Sequence, residues 1–184
     1  MKIAILGTRG IPSGYSGYET FAEEVGRRLA ERGHDVTVYC RRSIFKERPA
    51  RYQGMKMLYL PSIQTKSLST FTHTFLSALH LAIRRADVAL FVNVANSPFC
   101  LITKMAGIKT ALNVDGLEWL RPKWGPTGKR YFHAAARIAK YTTHRLITDA
   151  ARMQEIYREE FRADSSMIAY GANNHGLLQA GTAQ

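Results

Sequence analysis

The N-terminal segment constrains the fold most, because it places a buried strand directly before a glycine-rich turn and a helix. Lys2 to Leu6 reads as the strand, Gly7 to Gly17 as the turn, and a helical pattern begins near Glu19. Glycines let a backbone approach a phosphate closely, and a helix N-terminus presents unpaired N–H groups at the positive end of its dipole. The opening therefore predicts an anion-binding corner.

Strand and helix patterns alternate along the rest of the chain. The segments that read as strands, most of them continuous apolar runs, are Ile3–Leu6, Val36–Cys40, Met55–Leu60, Val88–Val92, Thr110–Val114, Leu146–Thr148 and Met167–Tyr170. Such runs are typical of a parallel sheet that is covered on both faces. The alternation predicts an α/β fold, a doubly wound, mostly parallel Rossmann-like sheet with helices on both faces.

The helical patterns lie between these strands. The first ends at Gly33, and later ones are predicted at residues 98–106, 127–144 and 150–161. In the second pattern the apolar residues recur at helical spacing and keep one face of the helix. They are Phe71, Phe75, Leu79 and Ile83.

The length of the chain limits the number of domains, and its charge limits the kinds of binding partner. A chain of 184 residues fits one large domain, predicted over residues 1–172 and followed by a polar tail at 173–184. The net charge is +12, and the segment from Arg41 to Val114 contains eleven Lys and Arg residues but only two acidic ones. This charge favours sugar nucleotides, phospholipid head groups or nucleic acid. Without a run of basic residues or zinc-finger spacing, nucleic acid is disfavoured.

The cysteines and histidines predict neither a disulfide nor a metal. Cys40 and Cys100 are the only cysteines and read as free, buried thiols, which fits a cytoplasmic setting. The six histidines show no zinc-ligand spacing with them. No apolar run approaches the ~20 residues of a membrane span. We predict a cytoplasmic protein with no bound metal and no cofactor.

The glycine turn departs from the common nucleotide-binding fingerprints. It lacks G-x-G-x-x-G and the Walker A lysine, and Arg41 and Arg42 stand where a ribose-binding acid is expected. NAD is therefore disfavoured, whereas a 2′-phosphorylated cofactor stays open. A flexible loop without a ligand also stays open.

Several motifs resemble the opening of retaining family 4 glycosyltransferases. Ser16-Gly17-Tyr18-Glu19 is similar to their Gly-Gly-x-Glu-like turn, and the Arg-Gly-His-Asp-Val-Thr-Val segment around His34 to their next strand. Longer blocks resemble a rhamnosyltransferase-like branch. They are Gly7-Thr-Arg-Gly-Ile-Pro, Lys66-Ser-Leu-Ser-Thr-Phe-Thr-His-Thr and Asn113-Val-Asp-Gly-Leu-Glu-Trp. The resemblance extends over about residues 1–172.

The resemblance implies one half of a GT-B architecture, in which two Rossmann-like domains face each other across a cleft. This half would hold the acceptor, a glycan or a lipid-linked molecule. It would also approach the donor diphosphate through the backbone of Gly14, Ser16 and Gly17. The C-terminal domain, which binds most of the nucleotide sugar and carries a Glu-x7-Glu signature, is missing from the sequence. We therefore expect the chain to be inactive alone.

Asp115 is the candidate for contact with the reacting centre. It follows a predicted strand, and many of the similar glycosyltransferases place a histidine near this position. A carboxylate there would accept a hydrogen bond from an acceptor or sugar hydroxyl. The alternative is an aspartate that caps the turn before Gly116.

The other candidate contacts to acceptor or sugar lie in the loops that follow the strands. They are Arg9, Tyr18, Glu19, Asn93, Asn96, Glu118 and Trp119. Each has a plainer alternative: turn formation for the asparagines, packing for Trp119, and a surface position for Glu118. His73 reads as a helix-start histidine in a polar shell.

The helix predicted at residues 127–144 carries a basic face. Arg130, His133, Arg137, Lys140 and His144 recur there at steps of three or four. A basic amphipathic helix is able to lie on an anionic membrane surface, and the alternative is a sandwich helix with a solvated face. Two other functions stay open: an NADP-dependent oxidoreductase and a non-catalytic binding module for an anionic glycolipid.

Overall fold

The computed structural model describes residues 1–14, 17–65, 68–114 and 116–171, which form an eight-stranded sheet in the order β3-β4-β2-β1-β5-β6-β7-β8. The strands are β1 (Lys2–Leu6), β2 (Asp35–Arg41), β3 (Arg51–Tyr52), β4 (Met55–Leu60), β5 (Val88–Val92), β6 (Lys109–Asn113), β7 (Arg145–Thr148) and β8 (Ser166–Met167). The helices are α1 (Gly17–Glu31), α2 (Leu68–Arg84), α3 (Ser97–Met105), α4 (Pro126–Thr142) and α5 (Ala151–Phe161). Apart from β3, which pairs antiparallel with β4, neighbouring strands are parallel.

The predicted fold class is confirmed. The predicted strands match β4 and β5 residue for residue, and those at β1, β2, β6 and β7 differ by one residue at one or both ends. The last strand is shorter than predicted and ends at Met167. β3 was not predicted, because two residues are too few to form a hydrophobic pattern. Its turn to β4 is formed by Gln53 and Gly54, both with positive φ, as in a tight hairpin.

The order of the strands determines which face each helix covers. Connections between parallel strands are right-handed. Helix α1 connects β1 to β2 and therefore lies on one face of the sheet. Helices α2 to α5 lead to strands on the other side of β1 and therefore lie on the opposite face. Two core clusters follow. Ala22 of α1 packs with Ile5 and Val38 in one, and buried residues of α2 to α5 pack with Leu6 and Phe91 in the other.

Cys40 and Cys100 belong to different clusters, so the sheet lies between them. Both thiols are free and buried, as the sequence predicted. Burial raises the pKa of the Cys40 thiol to about 12, and neither sulfur is placed to react as a thiolate.

The reversal between β1 and β5 creates a crevice at the carboxyl edge of the sheet. The loop after β1 and the segment after β5, which contains a short 3₁₀ turn at Val94–Asn96, border it. Open α/β sheets bind ligands in the crevice at such a switch point. The predicted glycine corner therefore lies where the topology favours a ligand.

The second helix has its apolar face turned outward, opposite to the usual arrangement. Phe75, Leu79 and Ile83 are 43%, 39% and 81% exposed, whereas His73 and Ser77 are buried. Small and hydroxyl side chains on the inner face allow α2 to lie close to the sheet. Within the described residues, no helix combines the length and apolar character needed to cross a bilayer.

Candidate functional site

The first half of the glycine loop is packed tightly against the end of β5. The Asn96 side-chain amide donates hydrogen bonds to the Val92 carbonyl (2.7 Å) and the Gly7 carbonyl (3.3 Å). Gly7 has φ +95, and a Cβ added there would lie 2.5 Å from the Val92 oxygen. The crevice between β1 and β5 therefore requires glycine at this position.

The next turn of the loop packs against the end of β2. Gly10 has φ +118, and a Cβ there would lie 2.7 Å from the Cys40 side chain. The Arg41 N–H donates to the Arg9 carbonyl at 2.9 Å, and the Ile11 side chain is fully buried. This part of the loop is filled by protein atoms and offers no room for a phosphate.

Two carboxylates of α1 hold the loop from the other side. The Arg9 N–H donates to Glu19 at 3.0 Å, and the Ser13 N–H donates to Glu23 at 2.6 Å. Glu19 is 5% exposed, so its carboxylate is a buried fixture of the loop. Both loop N–H groups are therefore already engaged by anionic oxygens.

The last two glycines of the loop, Gly14 and Gly17, are open. Among the described residues, Cβ atoms added at Gly14 and Gly17 would have no neighbour within 4 Å. Gly17 begins α1, and Tyr18 lies half-buried against the core beneath it. Ser16, the third residue predicted to contact the diphosphate, lies outside the described residues. The open backbone at Gly14 and Gly17 is the part of the loop that a diphosphate is able to reach.

Adjacent strands end in polar side chains that retain unused hydrogen-bonding capacity. Within the described residues, Asn96 Oδ1, Asn113 Nδ2 and Asp149 Oδ1 are buried and have no partner. Asn113 is the last residue of β6, whereas Asn96 and Asp149 follow β5 and β7, and these three strands are neighbours in the sheet. Asn93 differs, because its Oδ1 accepts the Ala95 N–H at 2.9 Å and so forms a turn.

Tyr170, which sequence reasoning missed, connects the two sides of this edge. Its hydroxyl donates to Asn113 Oδ1 at 3.3 Å, and its ring centroid lies 5.2 Å from that of Phe21 on α1. The segment after β8 therefore crosses the carboxyl edge. The sequence assigned Tyr170 to the last strand, but that strand ends at Met167, and the Tyr170 residue is 40% exposed.

The side chains of Glu118 and Trp119 are buried and make contacts within the protein. The buried Glu118 carboxylate accepts Trp124 Nε1–H at 2.7 Å and pairs with Arg121 and Lys123 at 3.0 and 3.2 Å. Trp119 is 7% exposed and packs edge-on against aromatic rings of α4 and α5. The packing alternative therefore describes Trp119, whereas Glu118 is not the surface residue that the alternative assumed.

Asp115, the predicted reacting-centre contact, lies outside the described residues. The described neighbour Gly116 has φ +72, so the chain turns sharply just beyond it. In the described ranges, no group of three or more His, Cys, Asp or Glu side chains is arranged to hold a metal ion.

Arg41 and His73 form a second polar cluster at the carboxyl edge. Arg41 is 7% exposed and donates to the hydroxyls of Ser69 (3.2 Å) and Thr70 (2.9 Å) in the first turn of α2. Burial, and then the Arg9 charge, lower the pKa of Arg41 to about 10, against an opposite effect of Glu19. Arg41 therefore stays charged at neutral pH.

His73 is fully buried, which the sequence did not predict. Apart from the Cys40 backbone, which acts on the imidazole, neither ring nitrogen has a partner among the described residues. Burial is the main cause that lowers the pKa of His73 to about 4, so the imidazole is neutral at pH 7. The histidine lies one turn beyond Ser69 and Thr70, on the inner face of α2.

The basic side chains of α4 do not form one free surface. His133 pairs with Glu160 at 2.8 Å, Lys140 donates to the Phe161 carbonyl at 2.7 Å, and His144 accepts the Thr110 N–H at 3.1 Å. The helical period predicted the shared face but not these neighbours. The alternative of an ordinary sandwich helix describes α4 better than the membrane-binding one.

Comparison with known proteins identifies the family and the fold. A family model described as a domain of unknown function, DUF1972, matches residues 1–173, so the chain belongs to this family. No curated protein matches the chain. The fold is similar to that of sucrose-phosphate synthase from Thermosynechococcus elongatus, with TM-score 0.69 and 12% identity over 94% of this chain and 48% of that one.

Two plant proteins are similar as well. Arabidopsis thaliana UGT89C1 complexed with UDP-L-rhamnose gives TM-score 0.57 and 13% identity over 92% of this chain and 51% of that one. A ugt transferase from Siraitia grosvenorii in complex with UDP gives TM-score 0.56 and 11% identity over 98% of this chain and 54% of that one. The chain thus spans about half the length of these structures, and at such identities the likeness concerns the fold.

Substituting Gly7 by Ala is expected to destabilise the fold by about 2–4 kcal/mol, because it combines a strained φ with a backbone clash. Gly14→Ala, which has open space, should change the unfolding free energy by less than about 0.5 kcal/mol. Urea unfolding monitored by circular dichroism measures both. Equal stability of the two variants would contradict the close packing at Gly7.

Acidification should weaken the fold through His73. The unfolded histidine takes up a proton near pH 6.5 and the folded one only near pH 4, so stability falls between these values. Between pH 7 and 5 the loss from this group is about 2 kcal/mol. His73→Gln should remove that part of the slope in urea unfolding, whereas His34→Gln, in the turn after α1, should keep it. An unchanged slope in His73→Gln would refute this origin.

Proposed function

We propose that this member of the DUF1972 family is the acceptor-side lobe of a glycosyltransferase. The enzyme would move a sugar from a nucleotide-diphosphate donor to a hydroxyl of a glycan or a lipid-linked acceptor. The fold shared with sugar-transferring enzymes, two of them in complexes with UDP or UDP-L-rhamnose, supports the class. The sequence motifs support the retaining, rhamnosyltransferase-like branch of family 4.

One observation carries the proposal: the open end of a glycine loop lies at the switch point of the sheet. Gly14 and Gly17 have free space beside their backbone, and Gly17 begins α1. A helix N-terminus with glycines before it favours a diphosphate, because the dipole and backbone N–H groups both attract oxyanions. We assign Gly14, Ser16 and Gly17 to the donor diphosphate.

The acceptor would lie along the neighbouring strand ends. A sugar presents many hydroxyls, which need both donors and acceptors, and the unpartnered atoms of Asn96, Asn113 and Asp149 supply both kinds. Asp115, beyond the end of β6, is our proposed contact to the reacting hydroxyl. Its carboxylate would accept the hydrogen bond of that hydroxyl as the proton is lost. Arg9, Tyr18 and Asn93 complete the proposed surroundings.

A second lobe would complete the donor site. The chain spans about half the length of the similar structures, and two of its own loop N–H groups, those of Arg9 and Ser13, face carboxylates of α1. We therefore expect these residues alone to bind nucleotide weakly and to transfer little sugar. The chemistry requires no cofactor in this lobe.

The oxidoreductase alternative has lost its strongest feature. It relied on Arg41 and Arg42 acting together on one 2′-phosphate, but the Arg41 guanidinium donates to the Ser69 and Thr70 hydroxyls of α2, whereas Arg42 is exposed. Two arginines with such different surroundings are a weak basis for recognising the 2′-phosphate of NADP.

Membrane contact, if the acceptor is lipid-linked, is better supported on α2 than on α4. The exposed apolar stripe of α2 continues on the adjacent helix α3 with Leu101 and Met105, which are 43% and 79% exposed. Arg84 and Arg85 stand at the end of α2 and add positive charge beside the stripe. Apolar area with nearby basic residues fits the surface of an anionic bilayer.

Nucleotide binding tests the assigned function. Isothermal titration of the 184-residue chain with UDP and dTDP should give a Kd on the order of 1 mM. Gly14→Ala should weaken binding at least fivefold, because a methyl group there keeps the phosphate from the backbone. Gly125→Ala is the matched control, since its Cβ also meets nothing within 4 Å.

Two outcomes of these titrations would contradict the assignment. No heat of binding with either nucleoside diphosphate at about 10 mM, together with micromolar binding of NADPH, would favour the oxidoreductase. Equal nucleotide affinity in the two glycine variants would remove the loop from the donor site.

Vesicle sedimentation tests the surface on α2. The chain should bind phosphatidylglycerol vesicles, lose that binding at high salt, and leave phosphatidylcholine vesicles in solution. Ile83→Ser should reduce binding severalfold. Ile44→Ser, a change at another exposed isoleucine (46% exposed), should not. Negligible binding to both kinds of vesicle would refute membrane contact.

A further inference from the structure

The Arg41 cluster, defined as Arg41, Ser69, Thr70 and His73, has a charge that its surroundings do not balance. The Arg41 residue is 7% exposed, and within the described residues its two amino groups donate to the neutral hydroxyls of Ser69 and Thr70. Its Nε has no partner among the described residues. A buried charge without a hydrogen-bonded counter-charge is costly, and proteins seldom keep one unless it binds something.

The place of the cluster adds to this imbalance. Arg41 contacts the first turn of α2, a 17-residue helix that has no acidic residue in that turn. A helix N-terminus is the positive end of the dipole and favours anions, so a cation there is opposed by the helix. Arg9 raises the positive potential further, and Glu19 opposes it without forming an ion pair with Arg41 in the described residues.

The hydrogen-bonding capacity of the cluster is also unused. The Thr74 hydroxyl is buried and has no partner in the described ranges, and the buried ring nitrogens of His73 have none there besides the Cys40 backbone. Thr65 already caps α2, because its side chain accepts the Leu68 N–H at 3.1 Å. The helix therefore offers its dipole and hydroxyls, and the arginine offers the charged donors.

We propose that the Arg41 cluster binds a phosphate group of the acceptor. A phosphate accepts paired hydrogen bonds from a guanidinium and single ones from hydroxyls, which matches Arg41, Ser69 and Thr70. This inference rests on the proposed function, because it names the substrate class of the same lobe. The acceptor is then a phosphorylated sugar or a lipid diphosphate.

This site is separate from the donor diphosphate site. The donor glycines precede α1, whereas Ser69 and Thr70 begin α2, and these helices cover opposite faces of the sheet. Both N-termini lie at the carboxyl edge, with the ends of β1 and β2 between them. One edge thus offers two anion positions, one for the donor and one for the acceptor.

Binding of inorganic phosphate and pyrophosphate to the 184-residue chain tests the proposal by calorimetry and by thermal shift. Arg41→Gln should weaken binding of both anions at least tenfold, whereas the exposed neighbour variant Arg42→Gln should stay within twofold of the unchanged chain. Should Arg41→Gln fail to fold, the double variant Ser69→Ala, Thr70→Ala keeps the charge and should weaken binding three- to tenfold. Equal affinity in every folded variant would overturn the site.

Parallel titrations separate this inference from the donor assignment. Arg41-dependent binding of phosphate without binding of UDP would keep this site and reject the donor function. UDP binding without any phosphate binding would reject this site and keep the donor function. An equal loss of UDP affinity and phosphate affinity in Arg41→Gln would assign the arginine to the donor site. Glucose 1-phosphate then represents a phosphorylated sugar, and geranyl diphosphate represents a lipid diphosphate. The acceptor class is the one whose probe binds more tightly and loses more affinity in Arg41→Gln.

Discussion

The side chain of Asn96 is the contact on which the candidate site depends. By donating to carbonyls at the ends of β1 and β5, it joins the two strands at the position where the sheet reverses its direction. Switch-point crevices are open because the loops on either side diverge. Here the amide closes the base of the crevice, which leaves only its outer part, beside Gly14 and Gly17, for a ligand.

The glycines of the loop therefore serve two different needs. Gly7 and Gly10 have positive φ and close neighbours, so they are glycines because the protein packs tightly there. Gly14 and Gly17 have neither constraint within the described residues, which leaves backbone access as the physical reason for them. A glycine-rich sequence cannot distinguish these needs, since both are met by the missing side chain.

The hydrophobic pattern predicted the sheet because continuous apolar runs have few other uses in a chain of this size. The same reasoning failed for α2, where an apolar period was equally clear but faces outward, since only a neighbouring element decides which face is buried. The contacts of Arg41 with Ser69 and Thr70 were missed because they span from β2 to α2. Tyr170 was missed as a site residue because it was assigned to the last strand, which ends at Met167 instead.

The two helix N-termini at the carboxyl edge differ in how their charge is balanced. The first turn of α1 contains Glu19, whose buried carboxylate already lies near the positive end of that helix and binds the Arg9 N–H. The first turn of α2 has no acidic residue and faces the Arg41 guanidinium instead. An anion therefore gains less at α1, where it meets a carboxylate, than at α2, where helix dipole and arginine act together. The proposed weak donor binding at α1 and the proposed stronger binding of a phosphate at Arg41 would thus have one cause, the distribution of charge at this edge.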